Sequence, residues 1–360
     1  MGLKRLTRYV LREVLLAWLG VTVVLVVVLL TNRLVQFMAD AASGDIPAGV
    51  IFTLLGLKAA ANLGVVLPGS FFLGVVMALG RLYRDSEMTA MAGCGVGPGR
   101  IYAGVFALAL PLAVGVAALS LTLGPAAERQ ADAVLANAQQ QTRLGGVQPG
   151  RFLAFGDQTT VYVERGDAGG RLRGVFAERR VEGGYQIWVA DRGRREINTI
   201  APGEFLVLED GWRYEGRPGS GAWQIMAYGE QGMRIAEPEP VNPGVGRDAK
   251  PPGALLADGS RAATAELQRR LSFPLMVLIL ALGSLPLART DPRSGRYARL
   301  VTAVLLYMIY FNLLYTAGDW MVTARMPQWP GVFWVHGVAL GIVLTAVHRQ
   351  LGIIRRRRPA

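Results

Sequence analysis

Long apolar runs that end in arginines constrain this chain more than any other feature. Residues 14–38, 51–80, 101–124, 271–288, 300–320 and 332–347 are each predominantly apolar. Crossing the hydrocarbon of a bilayer takes roughly 20 such residues in a helix, so each run reads as one span. Arginines gather where the runs stop: Arg8 and Arg12, Arg81 and Arg84, Arg289 and Arg299, then Arg349 and Arg355. Short loops rich in Arg and Lys stay on the cytoplasmic side, which places both termini and the loops at 81–99 and 289–299 inside. The net charge of +12 is thereby spread along membrane edges, not over a face for a nucleic-acid duplex. A hydrophobic content of 52% and a mean hydropathy of +0.32 agree with an integral membrane protein.

The first run follows basic residues, as in a signal peptide. It is too long, however, and Thr31-Asn32-Arg33 makes a poor cleavage site, so it reads as a retained span. Residues 39–49 carry Asp40 and Asp45 and no basic residue, as an outside loop should, and Pro47 opens the second span. Pro68 and Gly69 predict a kink in span two, and Pro274 and Pro286 predict breaks in span four. Trp329 and Trp334 read as interface anchors before span six.

Between spans three and four the pattern changes. Residues 126–262 contain no span and form a separate outside domain, flanked by membrane regions at 1–125 and 263–360. From about 151 the periodicity is two, in runs at 151–155, 159–164, 174–179, 186–190, 204–208, 212–215 and 223–228. Val161-Tyr162-Val163 and Phe205-Leu206-Val207-Leu208 are rich in β-branched and aromatic residues, as strands prefer, and Asp210-Gly211 predicts a hairpin. An antiparallel sandwich or β-jelly roll follows, with Phe152, Val161, Val163, Phe205 and Val207 as possible inward positions. Residues 237–253 are Pro-rich and polar and read as a tether back to the membrane. The fold class is an α-helical membrane protein of six transmembrane helices, three plus three, with an inserted all-β domain.

The loop at 81–99 is charged at its head and glycine-rich at its tail. Asp85 or Ser86 serves as a cap, Glu87 sits in the first turn, and Met88, Met91 and Ala92 form one apolar face. A short amphipathic helix at about 84–95 results, stopped by Gly93-Cys94-Gly95, with Cys94 as small apolar packing. Held between two spans on the cytoplasmic side, it has the form of a docking element.

Catalytic chemistry is missing from the pattern. The three lysines, Lys4, Lys58 and Lys250, belong to no P-loop, and the glycines at 93–99 fail the dinucleotide fingerprint. His336 and His348 lie far from any carboxylate partner in sequence and read as structural, without metal. Ser70 and Ser272 lie within spans, where hydroxyls bond to helix backbone. No carboxylate relay is visible in the spans, which weakens a proton-coupled transporter. Such a machine takes its energy from elsewhere, and the short helix is where it would be received.

Several motifs now carry a resemblance. Gly44-Asp45-Ile46-Pro47-Ala48, Leu79-Gly80-Arg81-Leu82-Tyr83, Ser86-Glu87-Met88-Thr89, Ala92-Gly93-Cys94-Gly95 and Asp291-Pro292-Arg293-Ser294-Gly295-Arg296 occur in order within this topology. The chain resembles the lipopolysaccharide export permeases of the LptF/LptG family over nearly its whole length, and the last motif favours the F type over the G type. The resemblance implies a permease subunit in the inner membrane of a Gram-negative bacterium, with both termini cytoplasmic and the β domain periplasmic. It implies as partners an LptB-type cytoplasmic ATPase homodimer, an LptG-type second permease, LptC-type and LptA-type bridge proteins, and lipopolysaccharide. ATP and Mg would sit on the ATPase, with no cofactor and no catalysis on this chain. A mechanotransducing ABC subunit, a receptor and a secondary transporter are the competing readings, disfavoured by the three-plus-three arrangement and the short inside loops.

By the same resemblance, Glu87 is the acidic residue that couples to the ATPase, with Asp85, Arg84, Met88 and Met91 beside it. Its other reading is simple complement to the helix dipole. Substrate phosphates fall to Arg33, with Lys58 as a second cation and Gln36 where relatives carry another; snorkelling is the alternative for both cations. The site itself is expected to be a large apolar cavity with basic residues at its outer rim. Spans one and five become lateral gates, lined by Tyr307, Tyr310, Phe311 and Tyr315, for which plain packing is the alternative.

Overall fold

The computed structural model describes residues 2–43, 46–144, 150, 152–155, 159–166, 171–181, 184–198, 203–219, 221–236, 246–289 and 298–356. They form two compact units, one from Met1–Leu135 with Pro243–Ala360 and the other from Ala136–Asn242. The motifs at Gly44-Asp45 and at Asp291 to Arg296, and residues 237–245 of the expected tether, lie outside the described residues.

The first unit is helical. It contains α1 (Gly2–Ser43), α2 (Ile51–Arg84), α3 (Glu87–Gly93), α4 (Pro98–Ala118), a π-helical turn at Leu119–Leu123, and α5 (Gly124–Leu144) as far as Leu135. After the β unit come α6 (Pro252–Asp258), α7 (Arg261–Ala288), α8 (Ala298–Val322) and α9 (Phe333–Arg356). Among the described residues, five stretches are long and apolar enough to cross a membrane: Arg8–Ala42, Ala48–Arg84, Pro98–Ala138, Arg261–Ala288 and Arg299–Val322. The sixth expected span coincides with α9, a helix of 24 residues.

The helices α2 and α7 form the middle of the bundle, because each contributes to both of its larger apolar cores. Val75, Leu79, Val277 and Leu285 enter one core, and Phe72, Val76, Met276 and Leu280 the other. Two glycines let neighbours reach the α2 backbone. A Cβ at Gly74 would lie 2.5 Å from Trp18 Cα of α1, and one at Gly69 would lie 2.5 Å from Tyr307 Cζ of α8. Between them, Ser70 Oγ accepts from Trp18 Nε1 at 3.2 Å and from Thr22 Oγ1 at 2.9 Å, and donates to Leu67 O at 3.0 Å. Ser272 likewise donates to Gln268 O at 2.8 Å, so both serines bond to backbone as their sequence context predicts.

The expected breaks in span four are absent: α7 runs unbroken through Pro274 and Pro286. Pro274 has no N–H, which leaves the carbonyl of Arg270 without its helical donor. Ser120 of the π-helical turn supplies one, its Oγ lying 3.1 Å from Arg270 O.

The second unit holds β1 (Phe152–Phe155), β2 (Thr159–Gly166), β3 (Arg171–Val181), β4 (Gly184–Asn198), β5 (Gly203–Gly216) and β6 (Trp223–Ala236). They pair antiparallel in chain order as one six-stranded sheet. The inserted all-β domain is therefore present, and its described strands follow a meander rather than Greek-key crossovers.

The sheet is folded over along one line. Leu172 and Val175 both point into the core, so alternation inverts between them; in β5, Leu208 of the core and the buried Gly211 stand at the same spacing. Gly174 and Asp210, with φ of 63° and 55°, sit at those inversions, and no residue is inserted in the register. Positive φ turns the strand, which makes a corner and aims both arms at a shared core. That core comprises Val161, Val163, Val175, Trp188, Leu206, Leu208 and Met233. Asp210-Gly211 thus forms a corner inside β5 and not the expected hairpin, and the runs at 204–208 and 212–215 are one strand. Of the possible inward positions, Val161 and Val163 lie in this core. Val207 is buried outside that core, Phe205 is half-buried, and Phe152 is exposed beside Tyr162.

Candidate functional site: a charged cavity and a short helix at opposite ends of the bundle

The short helix forms as α3, but its cap differs from expectation. Ser86 occupies the cap position with φ of 59° and makes no side-chain bond to the helix, while Asp85 pairs with Arg84 Nε at 3.2 Å. Left-handed geometry turns the chain sharply out of α2, so the serine serves the corner and not the cap. Met88 and Met91 are buried with Val10, Val14 and Leu82, so they fasten α3 to α1 and α2. What stays open to a partner is Asp85, Ser86, Thr89, Ala90 and the stretch from Ala92 to Gly95. Cys94 is therefore exposed, against the expectation of apolar packing. Glu87 is half-buried and its Oε2 accepts from the Tyr9 hydroxyl of α1 at 2.9 Å.

A cavity of about 700 Å³ lies at the other end of the bundle. Its walls come from α1 (Arg33), α2 (Lys58, Asn62), the π-helical turn and α5 (Ser120, Glu128), α7 (Glu266, Arg269, Arg270, Phe273) and α8 (Tyr315, Asp319). Arg247 and Asp248, just before α6, complete it. Arg33 is 24 residues along α1 from Tyr9, which at 1.5 Å per residue is about 36 Å. The two places are thus separated by roughly a bilayer thickness.

The structure brings Arg33 and Lys58 to one cavity, but neither is a bare cation. Lys58 Nζ pairs with Glu128 and lies 3.6 Å from Asp132, bridging α2 to α5. Arg33 Nη1 donates to Gln36 Oε1 at 3.0 Å, so Gln36 orients the arginine. The wall is also less apolar than expected, since Glu128, Asp248, Glu266 and Asp319 face the same space as the five basic residues. Low local dielectric explains the pairing: a lone charge here would lose hydration without compensation.

Sequence reasoning missed the strongest cluster, on α7. Glu266 accepts from Arg269 Nε at 2.8 Å and from Arg270 Nε at 2.7 Å, and Glu266 and Arg270 are both buried. The missed carboxylate lies inside a span, but two guanidiniums hold it, which is an ion-pair staple and not a proton carrier. Arg270 also donates to the carbonyls of Lys250 at 2.8 Å and of Arg247 and Asp248 at 3.0 Å each. Arg129 of α5 takes the carbonyl between them, Ala249 O, at 2.7 Å. The part of the expected tether at 246–250 is therefore clamped to the bundle. The spacing Glu266-x-x-Arg269-Arg270 at the head of an apolar run was the available signal.

The aromatic residues assigned to span five divide by role. Tyr315 lines the cavity, with its hydroxyl 3.2 Å from Arg269 Nη1 and the guanidinium 5.5 Å from its ring centroid. Phe311 stacks on both Tyr315 and Tyr307, and Tyr307 fills the notch at Gly69. Tyr310 is buried and bonded to His336 Nδ1 at 2.6 Å across α8 and α9, which gives that histidine the structural role expected of it. Packing thus accounts for Tyr307 and Tyr310.

A family model for the lipopolysaccharide export system permease LptF/LptG matches residues 8–349. The lipopolysaccharide export system permease protein LptF of Escherichia coli K12 is 30% identical over 309 residues, 84% of each chain. The protein of the same name from Shigella flexneri matches to the same extent. With its apolar helices, inserted β domain and matching length, the chain belongs to the LptF/LptG family of lipopolysaccharide export permeases.

Proposed function

We propose that this chain is the F-type permease of a lipopolysaccharide exporter and that the charged cavity receives the phosphorylated head of the lipid. The family gives the permease role and a multi-pass place in the inner membrane. The observation that carries the finer reading is the cavity, where Arg33, Lys58 and Arg269 converge beside Tyr315. Phosphate oxygens prefer charge-assisted donors; Arg33 presents a guanidinium fork that suits them, and Arg269 would turn its Nη1 from Tyr315 to reach them while Glu266 holds its other edge. Lys58 would exchange Glu128 for phosphate, which lets the lipid loosen the bridge between α2 and α5.

In this reading the cavity end faces the periplasm, as does the β unit, and α3 faces the cytoplasm. Span six is α9, and both termini are cytoplasmic. The chain catalyses nothing and carries no cofactor; an LptB-type ATPase homodimer with ATP and Mg docks at α3 through Glu87, flanked by Arg84 and Asp85. A second, LptG-type permease completes the membrane path beside α1 and α8, with Phe311 and Tyr315 at its edge. LptC-type and LptA-type bridge proteins then receive the lipid from the β unit, whose buried apolar arms suit acyl chains. Purification in mild detergent tests the assembly. The tagged chain should bring a soluble ATPase, a second permease and lipid A species, and Glu87→Arg should lose the ATPase while inserting normally. Undiminished ATPase recovery from Glu87→Arg contradicts the docking assignment.

A further inference from the structure

We propose that Tyr9 is a positioning residue through which movement of the α3 helix reaches α1. The inference rests on the reading of α3 as the ATPase dock. Four polar side chains alternate between α1 and the corner where α2 meets α3. Glu13 Oε2 pairs with Arg81 Nη2 at 2.7 Å, the same nitrogen donates to the Tyr9 hydroxyl at 3.3 Å, and Tyr9 donates to Glu87 Oε2 at 2.9 Å. Tyr9 and Glu13 are one turn apart on one face of α1, so the corner grips that helix at two successive turns. Beneath them Val10 and Val14 of α1 pack with Met88 and Met91 of α3.

The grip matters because α1 is far less enclosed by the bundle than α2. Only 6% of its most apolar window is buried, against 61% for α2. It lies along α2 through the Trp18 notch at Gly74, the Trp18 and Thr22 bonds to Ser70, and Leu34 and Phe37 at its far end, while its foot is held by the corner. A partner that pulls on the Glu87 carboxylate therefore pulls on Tyr9 and, through it, on the foot of α1. The apolar contacts hold α3 and α1 together, and the hydroxyl sets where the carboxylate points.

Tyr9→Phe removes the hydroxyl and keeps the ring, at a side chain that is 38% exposed. The measurement uses the whole exporter in proteoliposomes and records lipopolysaccharide released per ATP hydrolysed. We expect Tyr9→Phe to keep its ATPase and to lower that ratio about fivefold, the scale of one ordinary net hydrogen bond. A partly misfolded sample lowers release and hydrolysis together and leaves the ratio alone, so the ratio reads coupling. An unchanged ratio in Tyr9→Phe overturns the inference. Glu87→Arg run alongside separates the two ideas: if it retains its ATPase, the docking reading fails, whatever Tyr9→Phe does.

Discussion

Glu266 and Arg270 stand one turn apart on α7 and close a buried ion pair of 2.7 Å from which the return of the chain into the bundle is hung. The guanidinium is shared between the carboxylate and three backbone carbonyls at 247, 248 and 250. Backbone acceptors left without donors are costly, so this one side chain satisfies the carboxylate and the carbonyls at 248 and 250, and adds a second donor to that of Arg247, which also accepts from Lys250 N.

Arg270→Met should accordingly destabilise the helical unit by about 3–5 kcal/mol, the cost of breaking a buried pair from one side. Glu266→Gln should cost less, because Arg270 keeps its carbonyls. Thermal melts followed by size-exclusion in detergent give the order, and equal losses from the two variants would show that the carbonyls contribute nothing.

The bridge between Lys58 and Glu128 makes a second prediction. Lys58→Glu places two carboxylates together at half-buried positions and should weaken the contact between α2 and α5. Adding Glu128→Lys restores opposite charges and should recover most of the lost stability, about 1–3 kcal/mol for interacting neighbours. A double variant no better than the worse single would rule out the pairing.

Close packing on α2 gives a third. Gly74→Ala drives a Cβ into the α1 backbone at Trp18 and should cost about 1–3 kcal/mol, with α1 displaced. Gly20→Ala on α1 meets nothing within 4 Å and should stay within about 0.5 kcal/mol. Melting temperatures of the two variants in one detergent test the contrast, and similar values would contradict the direct seat of α1 on α2.

A fourth concerns acid. Hydrogen bonds from Lys250 and Ser260, with the Lys250 charge, hold the Asp258 carboxyl below the usual carboxylate range. A carboxyl lowered on folding adds stability above its unfolded value, near 3.9, and that share is lost as pH falls through the lower folded value. Melts of the protein and of Asp258→Asn should therefore differ at neutral pH and converge as the pH falls below the usual carboxylate range and through the lowered folded value. A difference that persists at the acid end would remove the charge from the explanation.

Spans, the β insertion and the short helix were legible because each rests on a local pattern: apolar length, period two, or an acidic head before paired methionines. Contacts between distant segments were not. Lys58 reads as a free cation in sequence because Glu128 lies 70 residues away and α5 brings it back. Asp210-Gly211 reads as a hairpin because its left-handed preference serves a turn or a corner equally, and only the strands alongside decide which. Pro274 reads as a break because its missing donor is visible in the sequence, whereas the hydroxyl of Ser120, 150 residues from Arg270, is not. Cavity charge was misjudged for a related reason. Its carboxylates come from α5, α7, α8 and the segment before α6, and none of these elements shows alone what it faces.

The head-group cavity is the central claim, and site-specific photo-crosslinking in cells tests it most directly. A photoreactive residue at Asn62 or Asp319, both on the cavity wall, should capture lipopolysaccharide. One at Ile342, exposed on α9 away from the cavity, should capture little. Replacing Arg33 and Arg269 together with Gln removes two charge-assisted donors to phosphate and should lower capture at the cavity positions by about tenfold. Equal capture at Asn62 and Ile342, or capture indifferent to the two arginines, would contradict the account.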